Sequence, residues 1–186
     1  AYRKMRSTSA NVIHHSYQIG MFETLTSAKV EGFDSILEIG GGYGGTCRLL
    51  RRLGFNGSYT ILDLPAVSLL QNYYLVATGV QSADDNRPPK VNTISSIREC
   101  EKLLEPSSRI LTIASWSLSE TPTEFREDVE SLLERSDAVL FSYQKAFDGV
   151  NNEEYFNRIA GWRQWSSVHH LEYEHLPGNY LLYALR

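Results

Sequence analysis

Long apolar runs, cysteine and surplus positive charge are all scarce in this 186-residue sequence, and each shortage removes a class of protein. No uninterrupted apolar stretch approaches the ~18 residues of a membrane span, and the opening Ala1-Tyr2-Arg3-Lys4-Met5-Arg6 lacks the apolar core of a secretory signal. No membrane partner is expected, and the chain reads as soluble and cytoplasmic. Only two cysteines are present, Cys47 and Cys100, both inside helix-like segments, which favours buried free thiols over a disulfide framework or a zinc site. Eighteen basic residues against twenty-two acidic ones leave a net charge of −4, so no global positive field gathers phosphate backbones and nucleic acid is not an expected partner. Glycine and proline together make up about a tenth of the chain and 42% of it is hydrophobic, which excludes collagen-like repeats and extended disorder. The length suits one domain. The first residue is Ala rather than Met, which points to residues upstream of it.

What is present is an alternation of short apolar strands with helices, the pattern of a mostly parallel sheet covered on both faces. Ser9 to Val30 carries Val12, Ile13, Tyr17, Met21, Phe22 and Leu25 at helical spacing, with Gly20 expected to bend or divide the helix. Ser35–Ile39 is the first strand, and Ser58–Leu62 the second. Pro65 suits the first turn of a helix to about Ala77, stopped at Gly79. Residues 82–90 are polar and rich in breakers, a surface loop whose Asp84-Asp85 pair reads as solvated charge, not a metal site. Val91–Ser95 follows as a third strand, Ser96–Leu104 as a helix, and Ile110–Ala114 as a buried strand whose carboxyl end leaves through the loop Ser115–Glu120. A helix from Thr121, as cap, to Arg135 is predicted, with Pro122 at its start and Glu124 three residues after the cap. Ala138–Tyr143 is the fifth strand and Asn152–Trp165 an amphipathic helix. Val168–Leu176 and Asn179–Leu185 flank Pro177-Gly178 as a closing antiparallel hairpin.

The sharpest signal is the strand, glycine run and helix at 35–53. Glycines let the backbone approach a ligand closely, and the amides opening the next helix point at its polar part. The run satisfies G-x-G-x-x-G through Gly40, Gly42 and Gly45, and also D/E-x-G-x-G-x-G through Glu38, Gly40, Gly42 and Gly44. Two cofactor classes therefore compete. Asp63 follows the second strand at the distance expected of a carboxylate gripping ribose hydroxyls, a feature serving both. Glu38 separates them, because a carboxylate there attracts the ammonium of a bound amino acid and repels a pyrophosphate. Read alone, Asp63 could equally cap the Pro65 helix, and the glycine turn could be structural.

Ile36-Leu37-Glu38-Ile39-Gly40-Gly41-Gly42-Tyr43-Gly44-Gly45 and Tyr59-Thr60-Ile61-Leu62-Asp63-Leu64-Pro65 resemble the first two motifs of the Rossmann-like, S-adenosylmethionine-dependent methyltransferases. The resemblance covers residues 34–186 and includes the closing hairpin. It implies a doubly wound α/β fold of about seven strands, with residues 1–33 as a helical segment over the cofactor pocket. More narrowly, Asp63-Leu64-Pro65, Tyr73-Tyr74-Leu75 and Trp116-Ser117-Leu118-Ser119-Glu120 are similar to a bacterial group of sugar O-methyltransferases. On this resemblance Glu38, Gly40, Gly42, Tyr43 and Gly44 meet the methionine part of S-adenosylmethionine, Asp63 holds the ribose and Leu64 lies beneath the adenine. Ser95 stands where the family often has a polar or acidic residue for the adenine amine, and Ser115 near the transferring methyl. Ser115-Trp116 replaces an Asn/Asp-Pro-Pro-Tyr signature, which argues against methylation of nucleic-acid bases.

A sugar hydroxyl is a weak nucleophile until its proton is removed, so a base is sought among the catalytic candidates Glu120, His14 and His15. Glu120 follows the fourth strand but also reads as a first-turn helix charge. His14 and His15 sit on the helix expected over the pocket, while His169, His170 and His175 read as surface histidines. Trp116, Tyr17 and Tyr143 are the expected substrate-binding residues, although a tryptophan beside a buried strand is as often core. The expected partners are a small polar acceptor, a saccharide or glycoside on the resemblance, and a second copy of the chain as a homodimer. Two readings stand beside methyl transfer: an NAD(P)-dependent oxidoreductase, which lacks a Tyr-x-x-x-Lys pair here, and a catalytically silent binding domain.

Overall fold

Seven strands line up in the order β3-β2-β1-β4-β5-β9-β8 in a computed structural model that describes residues 9–81 and 91–186. The parallel part comprises β1 (Ser35–Ile39), β2 (Ser58–Leu62), β3 (Val91–Ile94), β4 (Ile110–Ser115) and β5 (Ala138–Gln144). β9 (Asn179–Leu185) runs antiparallel between β5 and β8 (Ser167–Glu172). Strand order reverses at β1, which pairs with both β2 and β4, and in open sheets of this kind the crevice at the carboxyl ends beside such a reversal is where ligands bind.

Side chains alternate along each strand, so every strand feeds two cores. Ile36, Tyr59, Ile61, Leu111, Leu140 and Tyr183 face one layer of helices, and Leu37, Leu62, Ile110, Val139, Phe141 and Leu182 face the other. The first layer holds α1 (Ala10–Thr26), α2 (Gly45–Arg52) and α3 (Pro65–Ala77), through Phe22, Leu50 and Leu75. The second holds α4 (Ile97–Leu103), α5 (Thr123–Asp128), α6 (Glu130–Glu134) and α7 (Glu153–Ala160), through Cys100, Val129, Leu132 and Phe156. Both cysteines are buried and unpaired.

Several elements differ from the sequence expectation. α1 runs unbroken through Gly20, whose Cβ position meets open space, and it stops instead at Ser27 in the left-handed region. The expected helix 121–135 is two helices meeting at Val129, with Arg126 and Val129 both buried. Thr121 is not its cap, since its hydroxyl donates to the Leu118 carbonyl and Pro122 opens α5. The loop after β4 is a 3₁₀ turn over Ser117–Glu120. α7 ends at Ala160, where Gly161 leaves Trp165 to donate its indole N–H to the Ile159 carbonyl. A further small hairpin, β6 (Ala146–Phe147) and β7 (Val150–Asn151), turns on Asp148-Gly149, both at positive φ. The polar loop 82–90 and the opening residues 1–8 lie outside the described residues.

Candidate functional site

The glycine turn joins β1 to α2 at the strand reversal. Gly40 takes φ +71°, and an added Cβ would fall on the Ser117 side chain, while a Cβ at Gly41 would press on Ile61 and on the Glu38 carboxyl group. Both positions therefore require the bare backbone. No side chain caps α2, whose N-terminal residue is preceded by Gly44 in the left-handed region. The opening of a helix carries partial positive charge and unpaired amides, so this turn faces a ligand with donors.

Two cavities flank the turn. One, of about 160 Å³, lies among Asn11, His15, Glu38, Gly42, Thr46 and Trp116, with Tyr43 and Ser115 also on its wall. The other, of about 420 Å³ and mostly apolar, lies among Asp63, Leu64, Pro65, Ser95, Ser117 and Phe125. Gly40 borders both. A carboxylate thus stands in each, Glu38 on β1 and Asp63 just past the end of β2.

Glu38 is buried, accepts a 2.8 Å hydrogen bond from the Tyr59 hydroxyl and bears on the Thr46 hydroxyl. Burial pushes its carboxyl up from 4.5 to about 7, and Asp63 adds to the rise, while Tyr59 and Thr46 oppose it. Thr46 Oγ1 is also 3.1 Å from His15 Nδ1. Burial, helped by His14, lowers His15 to about 4, so that imidazole is neutral at pH 7. Asp63 is half-buried, and its two oxygens accept from the Leu64 backbone N–H and the Gln71 side chain, each at 2.8 Å. Burial raises Asp63, opposed by those donors and by the backbone of Gly42 and Gly41. Gln71, on the buried face of α3, also donates to the Gly42 carbonyl at 2.9 Å, so one amide fixes both the turn and the carboxylate. Its Oε1 is buried without a hydrogen-bond partner among the described residues.

The expected site residues divide by place. Glu38, Gly40, Gly42, Tyr43, His15, Ser115 and Trp116 come together at the first cavity, and Asp63, Leu64 and Ser95 at the second. Gly44 opens α2 against Leu75. His14 packs edge-on to Trp116 and stacks on His175, beside the first cavity without lining it. Tyr17 lies outward on the same cluster, against Tyr173 and His175. Two residues sit elsewhere. Glu120 is exposed and accepts from Gln144, reaching neither cavity, because the 3₁₀ turn carries it away from the end of β4. Tyr143 is fully buried between Phe156 and Tyr180, with its hydroxyl on His170, so it is core and not a pocket wall. Sequence reasoning passed over Gln71, Thr46, Asn11 and Ser117. Of these, Gln71 carried a signal: with Ser68 and Leu75 it occupies one helical face, which marks a buried amide.

Among the described residues no group of three or more His, Cys, Asp or Glu could hold a metal, and no helix is long and apolar enough to cross a membrane. No protein-family model matches the chain, and no curated protein matches its sequence. Solved structures do. The methyltransferase domain of bacterial CtHen1-CN superposes with a TM-score of 0.65 over 96% of this chain and 100% of that one, at 13% identity. The fold is the Rossmann-like methyltransferase fold. An O-methyltransferase family protein from Burkholderia thailandensis shares this fold with a TM-score of 0.61 at 12% identity, and this chain, covered to 97%, spans 60% of that protein's length. Magnesium protoporphyrin IX methyltransferase (ChlM) from Synechocystis PCC 6803, solved with bound SAM, gives 0.61 at 16% identity, covering 99% of this chain and 88% of that one. In this methyltransferase fold the two cavities open at the carboxyl ends of β1, β2 and β4, beside the strand reversal.

Proposed function

We propose that the chain binds S-adenosylmethionine across the two cavities and transfers its methyl group to an oxygen of a small polar acceptor, a saccharide or glycoside. The observation that carries this reading is the placement of two carboxylates, Glu38 and Asp63, one in each cavity on either side of a bare glycine turn. An amino acid and a nucleoside joined together have matching needs: an ammonium at one end and ribose hydroxyls at the other. The residues fit. Gly42 has open space where a Cβ would stand, and the orphaned Gln71 oxygen leaves an acceptor beside Asp63. Neighbours solved with SAM or SAH bound, ChlM among them, support the same choice.

When bound, the cofactor supplies a methyl on a sulfonium, so the acceptor oxygen displaces a leaving group that is already good. The chain's part is alignment and proton removal. Glu38 holds the ammonium, Asp63 the ribose, and the apolar wall of Leu64, Pro65 and Phe125 excludes water around the adenine. His15 is the candidate base that lines the first cavity. If Thr46 donates to Glu38 and accepts from His15 Nδ1–H, the Nε2 lone pair is left to take the acceptor's proton. His14 and Trp116, packed together beside it, form the acceptor's entrance.

Two arms of one calorimetric titration test the cofactor: S-adenosylhomocysteine should bind at micromolar strength and NAD should not. The reverse order would replace the methyltransferase reading with the oxidoreductase one. Binding without turnover on any saccharide, phenol or amine acceptor would leave a silent binding domain.

A further inference from the structure

We propose that Gln18 is a positioning residue, whose buried side-chain amide holds the amino-terminal half of α1 against the sheet and so sets where His15 stands in the first cavity. The role rests on the reading of His15 as the base that takes the acceptor's proton. Residues 10–17 of α1 include no buried side chain, although Asn11 and His15 in that half line the cavity. A deep apolar anchor is therefore missing where aim matters most. Gln18 is the first buried residue of the helix, at 2% exposure, and with Ile19 and Phe22 it makes up the buried face. His15 stands three residues before it, on the same side of the helix.

A primary amide is costly to bury unless its oxygen and its nitrogen both find partners, and those of Gln18 do so on separate elements. The oxygen accepts from the Ser115 hydroxyl at the end of β4 at 2.8 Å, and the nitrogen donates to the Tyr173 hydroxyl, just past β8, at 2.9 Å. The main-chain carbonyl of Gln18 accepts from the Tyr183 hydroxyl on β9 at 3.0 Å. Tyr173 in turn is 3.1 Å from the Ser142 hydroxyl on β5, and Ser142 is the cross-strand neighbour of Ser115. The contacts thus close a ring through Ser115, Gln18, Tyr173 and Ser142. Three of its members are buried, and the fourth, Ser115, lines the first cavity. Rolling α1 about its axis breaks the ring at Gln18. The same roll would open the 3.1 Å contact of His15 Nδ1 with Thr46 Oγ1. Trp116 hangs on the ring as well, since its indole stacks on Tyr173.

NMR of the ligand-free chain tests this, with the imidazole nitrogens of His15 as the probe. The titratable groups facing His15 are His14 on its own helix and Glu38 and Tyr43 in its cavity. In the unmodified chain His15 should hold one tautomer and resist protonation down to about pH 4. Gln18→Met keeps the length of the side chain and removes both of its hydrogen bonds. There the midpoint should rise by at least ~1 pH unit toward 6.5, and the second tautomer should appear. Tyr173→Phe keeps the ring and its packing, removes one partner from outside the cavity, and should move His15 the same way by a smaller amount; it carries the test alone if Gln18→Met does not fold. Combined with Gln18→Met it should add nothing, because the path from Tyr173 to His15 runs through the amide. Affinity for S-adenosylhomocysteine should stay within ~threefold in both variants. The proposal is overturned by a His15 that titrates near 6.5 in the unmodified chain, by variants that leave its titration unchanged, by shifts that add in the double variant, or by a loss of affinity as large as that of Asp63→Ala. An unmodified chain that does not bind S-adenosylhomocysteine would instead remove the methyltransferase reading, and the His15 titration would still decide whether Gln18 sets its place.

Discussion

Replacing Glu38 by Gln isolates the consequence of placing a charge beneath the glycine turn. The side chain is 2% exposed, and burial lifts its carboxyl from 4.5 to about 7. A carboxyl whose folded value lies above its unfolded one favours folding fully below the unfolded value, and that contribution is lost as pH rises through the folded value. At ~1.4 kcal/mol per pH unit, the wild-type chain should lose about 3 kcal/mol between pH 4.5 and somewhat above 7 from this group alone. The amide cannot ionise and still accepts from Tyr59, so Glu38→Gln should be nearly as stable as wild type at about pH 5 and about 3 kcal/mol more stable at about pH 9. Urea unfolding of the ligand-free protein at several pH values measures the difference directly. Parallel stability curves for the two proteins would refute the buried-charge argument. The same substitution should weaken S-adenosylhomocysteine binding, and wild-type affinity should fall as pH drops below about 7 because the ammonium prefers the ionised carboxyl. A variant that binds as tightly as wild type at about pH 8 would remove Glu38 from the ligand site.

Asp63→Ala should raise the dissociation constant for S-adenosylhomocysteine by ~10–100-fold in calorimetry, the effect of losing hydrogen bonds to a charged group, without a shift in melting temperature that exceeds a few degrees. Gly40→Ala should abolish binding and lower the melting temperature, because the new methyl strikes Ser117 and the backbone sits at φ +71°. Arg126→Met should cost about 2–3 kcal/mol in urea unfolding. Arg126 is 3% exposed and donates to the carbonyls of Ser119 and Thr121 and to Asn152 Oδ1, all of which lose a partner.

Strand identity and the glycine turn were legible because their signals are local: an apolar run ended by glycine, and a carboxylate at each strand end. The strand–helix alternation and the closing hairpin announced a doubly wound, mostly parallel sheet, while the order β3-β2-β1-β4-β5-β9-β8 came from the structure. What sequence could not show is what a turn does to direction. Glu120 is five residues past β4, but the 3₁₀ turn points it to solvent, and Tyr143 at the end of β5 faces the helices rather than the crevice. The burial of Arg126 was likewise hidden, since its partners come from two other segments, the turn at Ser119–Thr121 and Asn152. The Asp148-Gly149 hairpin was visible and passed over: an Asp-Gly pair between short apolar positions is a strong turn signal.

β9 lies between β5 and β8, so a strand made after both of its neighbours occupies an interior place in the sheet. Until residues 179–185 leave the ribosome, β8 has no neighbour and β5 presents an open edge whose partners Leu181, Leu182 and Tyr183 are missing. Between the synthesis of β5, ending at Gln144, and that of β9, beginning at Asn179, the nascent chain therefore carries an unprotected sticky border, and chaperone demand should peak over that interval.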